Sequence, residues 1–89
     1  MDAKKIAELR KKIDRLRQKG GIKSSELETL AKRFRKVRHK RGSEPNWVDH
    51  EHPNLRPLSI PHHGKELNRF TVQSILDQLE GDLDALEDS

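Results

Sequence analysis

Five histidines stand in this 89-residue chain, and four of them, His50, His52, His62 and His63, lie between positions 50 and 63. Imidazole is the side chain whose ordinary pKa lies between pH 5 and 8, so these are the groups best suited to proton transfer. Just upstream, Lys32, Arg33, Arg35, Lys36, Arg38, Lys40 and Arg41 place seven cations in ten positions, and Lys65 follows the histidine pair. Cofactor-free cleavage of RNA needs a base for the ribose 2′-hydroxyl, an acid for the leaving oxygen and a cation for the pentavalent phosphate. All three residue types are present. His50, His52, His62 and His63 are the candidates for proton transfer, with Lys65 or an arginine of the basic run for charge. The alternative is that His62 and His63 merely cap and solvate a turn, and spacing does not choose between the two.

A metal site from His50, His52 and His62 or His63 is a weaker reading. Residues two apart on a strand share a face, but cysteine is absent and no recognisable ligand spacing occurs. Neither a phosphate-binding glycine loop nor a nucleophile elbow is found, and no cofactor is expected. The basic run supplies the sequence-independent phosphate attraction that dominates nucleic-acid affinity. A solvated strand edge would look similar, but so dense a block of like charge favours a polyanion partner. Arg35, Lys36, Arg38, Lys40, Arg41 and Lys65 are the expected contacts. Phe34 and Trp47 read as core, so phosphate contacts should outweigh base stacking.

The elements that would position these groups follow from apolar spacing. Ile6, Leu9, Ile13 and Leu16 recur at three and four residues, which predicts a first helix closed by Gly20-Gly21. Ser25 and Glu28 fit a Ser-x-x-Glu capping box, followed by Leu27, Leu30, Ala31 and Phe34 on one face of a second helix. The second half of Phe34–Arg41 reads as a strand. Trp47–His52 reads as another, with Val48, His50 and His52 on one side and Trp47, Asp49 and Glu51 on the other. Leu55–Ile60, interrupted by Pro57, reads as a third and edge strand. Val72, Ile75, Leu76, Leu79, Leu83 and Leu86 predict a final amphipathic helix. Two helices, three strands and a helix make an α+β fold: a three-stranded antiparallel sheet with helices on one face.

A chain of this length buries roughly 60–65% of its unfolded surface, so one small core is expected. Hydrophobic residues make up 30% of the chain and charged ones 38%, which points to modest stability or a stabilising partner. Without cysteine there are no disulfides, which suits a reducing compartment. No apolar run approaches the ~20 residues of a membrane span, and no signal-peptide centre is present. A soluble, cytoplasmic protein is expected. The net charge of +4 conceals an asymmetry: after Arg69 come six acids and no base, so the remainder carries about +10. A basic body suits nucleic acid, and an acidic last helix suits self-neutralisation or a basic partner.

Ile60-Pro61-His62-His63-Gly64-Lys65-Glu66-Leu67, then Thr71 and Ser74-Ile75-Leu76, resembles the Pro-His-x-Gly-Lys-Glu-Leu, Thr and Ser-Ile-Leu run of the HicA family. These are small toxins of bacterial toxin–antitoxin pairs, and the resemblance extends over about 27–79. Lys40-Arg41-Gly42-Ser43 is similar to the family's basic strand and Gly-Ser turn. The resemblance implies a fold like a double-stranded-RNA-binding domain, metal-independent endoribonuclease activity on mRNA, and inhibition by a cognate antitoxin protein. At 89 residues one domain is expected over 1–89, and the resemblance divides it into 1–21, an N-terminal helical extension, and 24–89, the HicA-like core. Where the family has the histidine held to be catalytic, this chain has Glu44, then Pro45. A carboxylate can serve as a general base, so Glu44 joins His50 and His62 as a catalytic candidate. The other reading is a non-catalytic RNA-binding or protein-interaction module of the same fold.

Overall fold

The computed structural model describes residues 2–34, 36–41, 44–61 and 65–87, and side chains for these except 39–41, 44 and 45. The order is α1 (Ala3–Gln18), α2 (Ser24–Arg33), β1 (Val37–Arg41), β2 (Glu44–Val48), β3 (Leu58–Ser59) and α3 (Arg69–Glu87). The strands form one antiparallel sheet in the order β1-β2-β3, and the protein is an α+β fold of three helices and a three-stranded open sheet.

Asp2 begins α1 by accepting a hydrogen bond from the Lys5 backbone N–H, which satisfies one orphan donor of the first turn. The helix stops at Gln18, and Gly21 takes a φ of +66°, the left-handed region that a side chain disfavours. A Cβ there would also lie 2.9 Å from the Glu66 carboxylate. The approach is close because residues 22–23 pair with the segment before α3: Lys23 bridges Glu66, and the Leu67 N–H donates to the Ile22 carbonyl at 2.8 Å.

The capping box expected at Ser25 and Glu28 lies two residues earlier. Glu26 is the third helical residue of α2, and its carboxylate accepts from the Lys23 N–H at 3.0 Å. Because a lysine side chain cannot accept, the arrangement is one-sided, and Lys19 completes it by an ion pair with Glu26. At the other end the Lys36 N–H returns to the Ala31 carbonyl at 3.1 Å, the long-range bond of a Schellman closure, which turns the chain into β1. For α3, Asn68 accepts from the Phe70 N–H at 2.7 Å and caps the first turn.

Two strands differ from the sequence expectation. Instead of covering Trp47–His52, β2 begins at Glu44 and ends at Val48, because Asp49 turns the chain there. Its Oδ1 accepts from the N–H groups of Glu51 at 3.0 Å and His52 at 3.2 Å, an alternative to ladder pairing. His50 and His52 therefore lie beyond the sheet and share no strand face. The third strand is shorter than 55–60, since the Arg56 and Pro57 carbonyls turn aside to accept from Gln78 on α3.

Trp47 stands opposite Arg38 on one side and Leu58 on the other, so these three positions share a sheet face. Trp47 and Leu58 are buried in one cluster with Ile60, Leu27 and Leu30 of α2, Phe34 at its C-cap, and the α3 residues Val72, Ile75, Leu76, Leu79 and Leu83. Ile6, Leu9 and Ile13 of α1 belong to the same cluster, so the N-terminal helix is part of the core rather than an appendage to it. Val37, 48% exposed, lies on the opposite face.

Candidate nucleic-acid interface and a histidine–aspartate pair

The basic residues divide by what stands opposite them. Arg10 on α1 meets Asp84 at 2.7 Å and Glu87 at 2.6 Å, and these hydrogen bonds raise its pKa. Arg17, two turns further on, meets Asp77 at 2.7 Å and Glu80 at 3.0 Å. Partial burial opposes its charge, but the hydrogen bonds with Asp77 and Glu80 prevail and raise its pKa. The acidic face of α3 is thus turned on the protein's own first helix.

Lys36 is a correction to the expected set of nucleic-acid contacts. Strand alternation extended back from Arg38 puts Lys36 on the core face, and its side chain is only 1% exposed. There the ammonium meets Asp82 of α3 at 2.8 Å, itself 8% exposed. The approach lies outside hydrogen-bond geometry, so the contact is a buried ion pair without a directed hydrogen bond. A phosphate cannot reach this cation without breaking the pair.

Of the other expected contacts, Arg38 and Lys65 are exposed. Lys40 and Arg41 are placed by backbone alone, on β1 opposite Pro45 and Glu44. Arg35 lies outside the described residues. Lys32 and Arg33, in the last turn of α2, are exposed as Arg38 is. Among the described residues none of Lys32, Arg33 and Arg38 enters an ion pair. Arg33 also rims a cleft of about 240 Å³ between α1 and α2, with Lys12 and Arg15 beside it and Leu16 and Leu30 in its wall. Phe34 and Trp47 are core, as expected, but Phe70 on the first turn of α3 is 87% exposed and so presents an aromatic ring to solvent.

The three catalytic candidates do not converge as a described group. Register places Glu44 beside the 42–43 connection, opposite Arg41, whereas Val48, opposite Val37, ends the ladder at the far side. His50 follows that far end. Four steps of strand separate Glu44 from Val48, roughly 13 Å at about 3.3 Å per residue. Glu44 and His50 therefore lie toward opposite ends of β2. His50 is exposed and Glu44 is placed by backbone alone. His62 lies outside the described residues.

The structure does bring together a pair that strand alternation had put on opposite faces. The Asp49 Oδ2 lies 3.0 Å from the His52 Nδ1, with the Asp49 side chain 5% exposed and that of His52 33% exposed. The sequence signal for it was the turn former Asp49 ahead of His52-Pro53-Asn54, which favours a turn over a continuing strand. Among the described residues, no three histidines or acids gather as a metal would require. No described helix is long and apolar enough to cross a membrane. Compared with known proteins, the chain matches no family model, no curated protein and no solved structure.

Proposed function

We propose that this protein binds RNA through the cations at the α2–β1 junction and along β1, as a HicA-like toxin with a fold of the double-stranded-RNA-binding kind. The observation that carries the reading is the division of charge. Five acids of α3 are committed to Arg10, Arg17 and Lys36, while Lys32, Arg33 and Arg38 stay exposed with no carboxylate partner among the described residues. Like charges held this close repel, and neutralisation by phosphates with release of counterions relieves that cost. The resemblance over 60–76 supplies the rest: cleavage of mRNA without a metal, and inhibition by a cognate antitoxin in the cytoplasm.

Chemistry in this reading belongs to histidines of the 50–63 region rather than to Glu44. Incubating the protein with single-stranded RNA in chelator tests it, and the expected result is cleavage that persists without divalent cations. RNA that is bound but stays intact would overturn the nuclease part. That outcome would favour the second reading, a non-catalytic binding module, which rests on Glu44 standing where the family has its histidine.

A further inference from the structure

The turn after β2 does more than reverse the chain. Capping it requires one oxygen of Asp49, and Oδ1 meets that need by accepting from two backbone N–H groups. The other oxygen, Oδ2, is given to the His52 ring at 3.0 Å. A buried carboxylate fixed at both oxygens holds the imidazole in one orientation. The arrangement suits the neutral tautomer in which Nδ1–H donates to Asp49 and Nε2 keeps the lone pair. The ring remains one-third exposed, so this lone pair belongs to a side chain that a substrate can approach.

The pair also stands at the right end of the sheet. Asp49 follows Val48, whose register partner Val37 is where β1 begins. Lys32 and Arg33, in the last turn of α2, precede β1 at that end, and Arg38 is one pair into the ladder. Glu44 lies at the other end.

We propose that His52, oriented by Asp49, is the proton-accepting group of an RNA-cleaving site at the Val37–Val48 end of the sheet. The inference rests on the nuclease reading above and names its base. In the step, Nε2 takes the proton of a ribose 2′-hydroxyl as the 2′ oxygen bonds to the adjacent phosphorus. The bond from phosphorus to the 5′ oxygen breaks, and that oxygen leaves with a proton taken from solvent water. The products are a 2′,3′-cyclic phosphate and a 5′-hydroxyl, and the imidazolium returns its proton to solvent. Asp49 is a positioning residue, since it acts through the ring.

The test uses the full chain and a single-stranded oligoribonucleotide in chelator. His52→Gln keeps a hydrogen-bond donor for Asp49 but cannot take a proton. It is expected to lower cleavage about 10²-fold or more while RNA binding stays within about twofold. Asp49→Asn is expected to lower cleavage less. It should also change the ¹⁵N signature of His52 from the Nδ1–H form, a change that a turn-stabilising role alone would not produce. Wild-type cleavage retained in His52→Gln would overturn the inference and leave the nuclease reading standing. A wild-type protein that binds RNA and never cuts it would overturn both. An Nε2–H tautomer for His52 in the unmodified protein would overturn the orientation without recourse to any variant.

Discussion

Along α1, Arg10 and Arg17 each meet two carboxylates of α3, whereas Lys32, Arg33 and Arg38, leading from α2 into β1, meet none among the described residues. The same residue types thus join two helices in one region and stand exposed in another. Net charge does not reveal this. The +4 of the whole chain sums over a nearly neutral α1–α3 seam, a strongly basic α2–β1 region and the remaining segments. Lys36 falls between them, since it belongs to the basic run in sequence and to the neutralised set in space.

The largest effect should come from breaking that boundary. Asp82→Ala strands a buried ammonium and is expected to cost about 3–5 kcal/mol in urea denaturation, since removing one partner leaves the other desolvated and uncompensated. The double change Lys36→Met with Asp82→Leu removes both charges and should recover most of the loss. A cost below about 1 kcal/mol for Asp82→Ala would return Lys36 to the solvent-facing set.

Arg17→Gln probes the neutralised face, and the expected loss is roughly 0.5–1 kcal/mol, the scale of partly exposed ion pairs. It should shrink as salt is raised and leave RNA binding untouched.

The smallest effect concerns pH. The Lys19 ammonium, with the Lys23 N–H, holds the Glu26 carboxyl below its ordinary value of 4.5. A carboxyl held low in the folded state adds stability above its unfolded pKa and loses it as pH falls through the folded one. Glu26→Gln should therefore lower stability slightly at pH 7 and flatten the loss of stability as pH falls below about 4.5. An acid limb unchanged by the substitution would count against Glu26 as the anchor of α2.

Much of the fold was legible because helix periodicity is local. The stripes of α1 and α3, the closure near Gly20-Gly21 and the three-stranded sheet all follow from spacing. What misled was chemistry that competes with spacing. At 47–52 the alternation looks like a strand, but Asp49 offers its own side chain to the backbone and stops the ladder. Ser25 and Glu28 fit a capping pattern, yet Glu26 makes the cap because Lys19 and Lys23 lie within its reach. Asp82 occupies a position of the leucine stripe, three residues after Leu79, and that was a readable sign of a buried acid in need of a cation. Its partner was not readable, since the Lys36–Asp82 contact joins residues far apart in the chain.

The most direct test of the account is the salt dependence of RNA binding, read by fluorescence anisotropy of a labelled single-stranded RNA between about 50 and 200 mM salt. Neutralising Lys32, Arg33 and Arg38 together to glutamine is expected to make the log–log slope shallower by about 2, at ~0.7 per lost phosphate contact. Neutralising Arg10 and Arg17 together should leave the slope as it is. Equal losses from the two sets, or no RNA binding at the lowest salt, would contradict the division of charge as the basis of function.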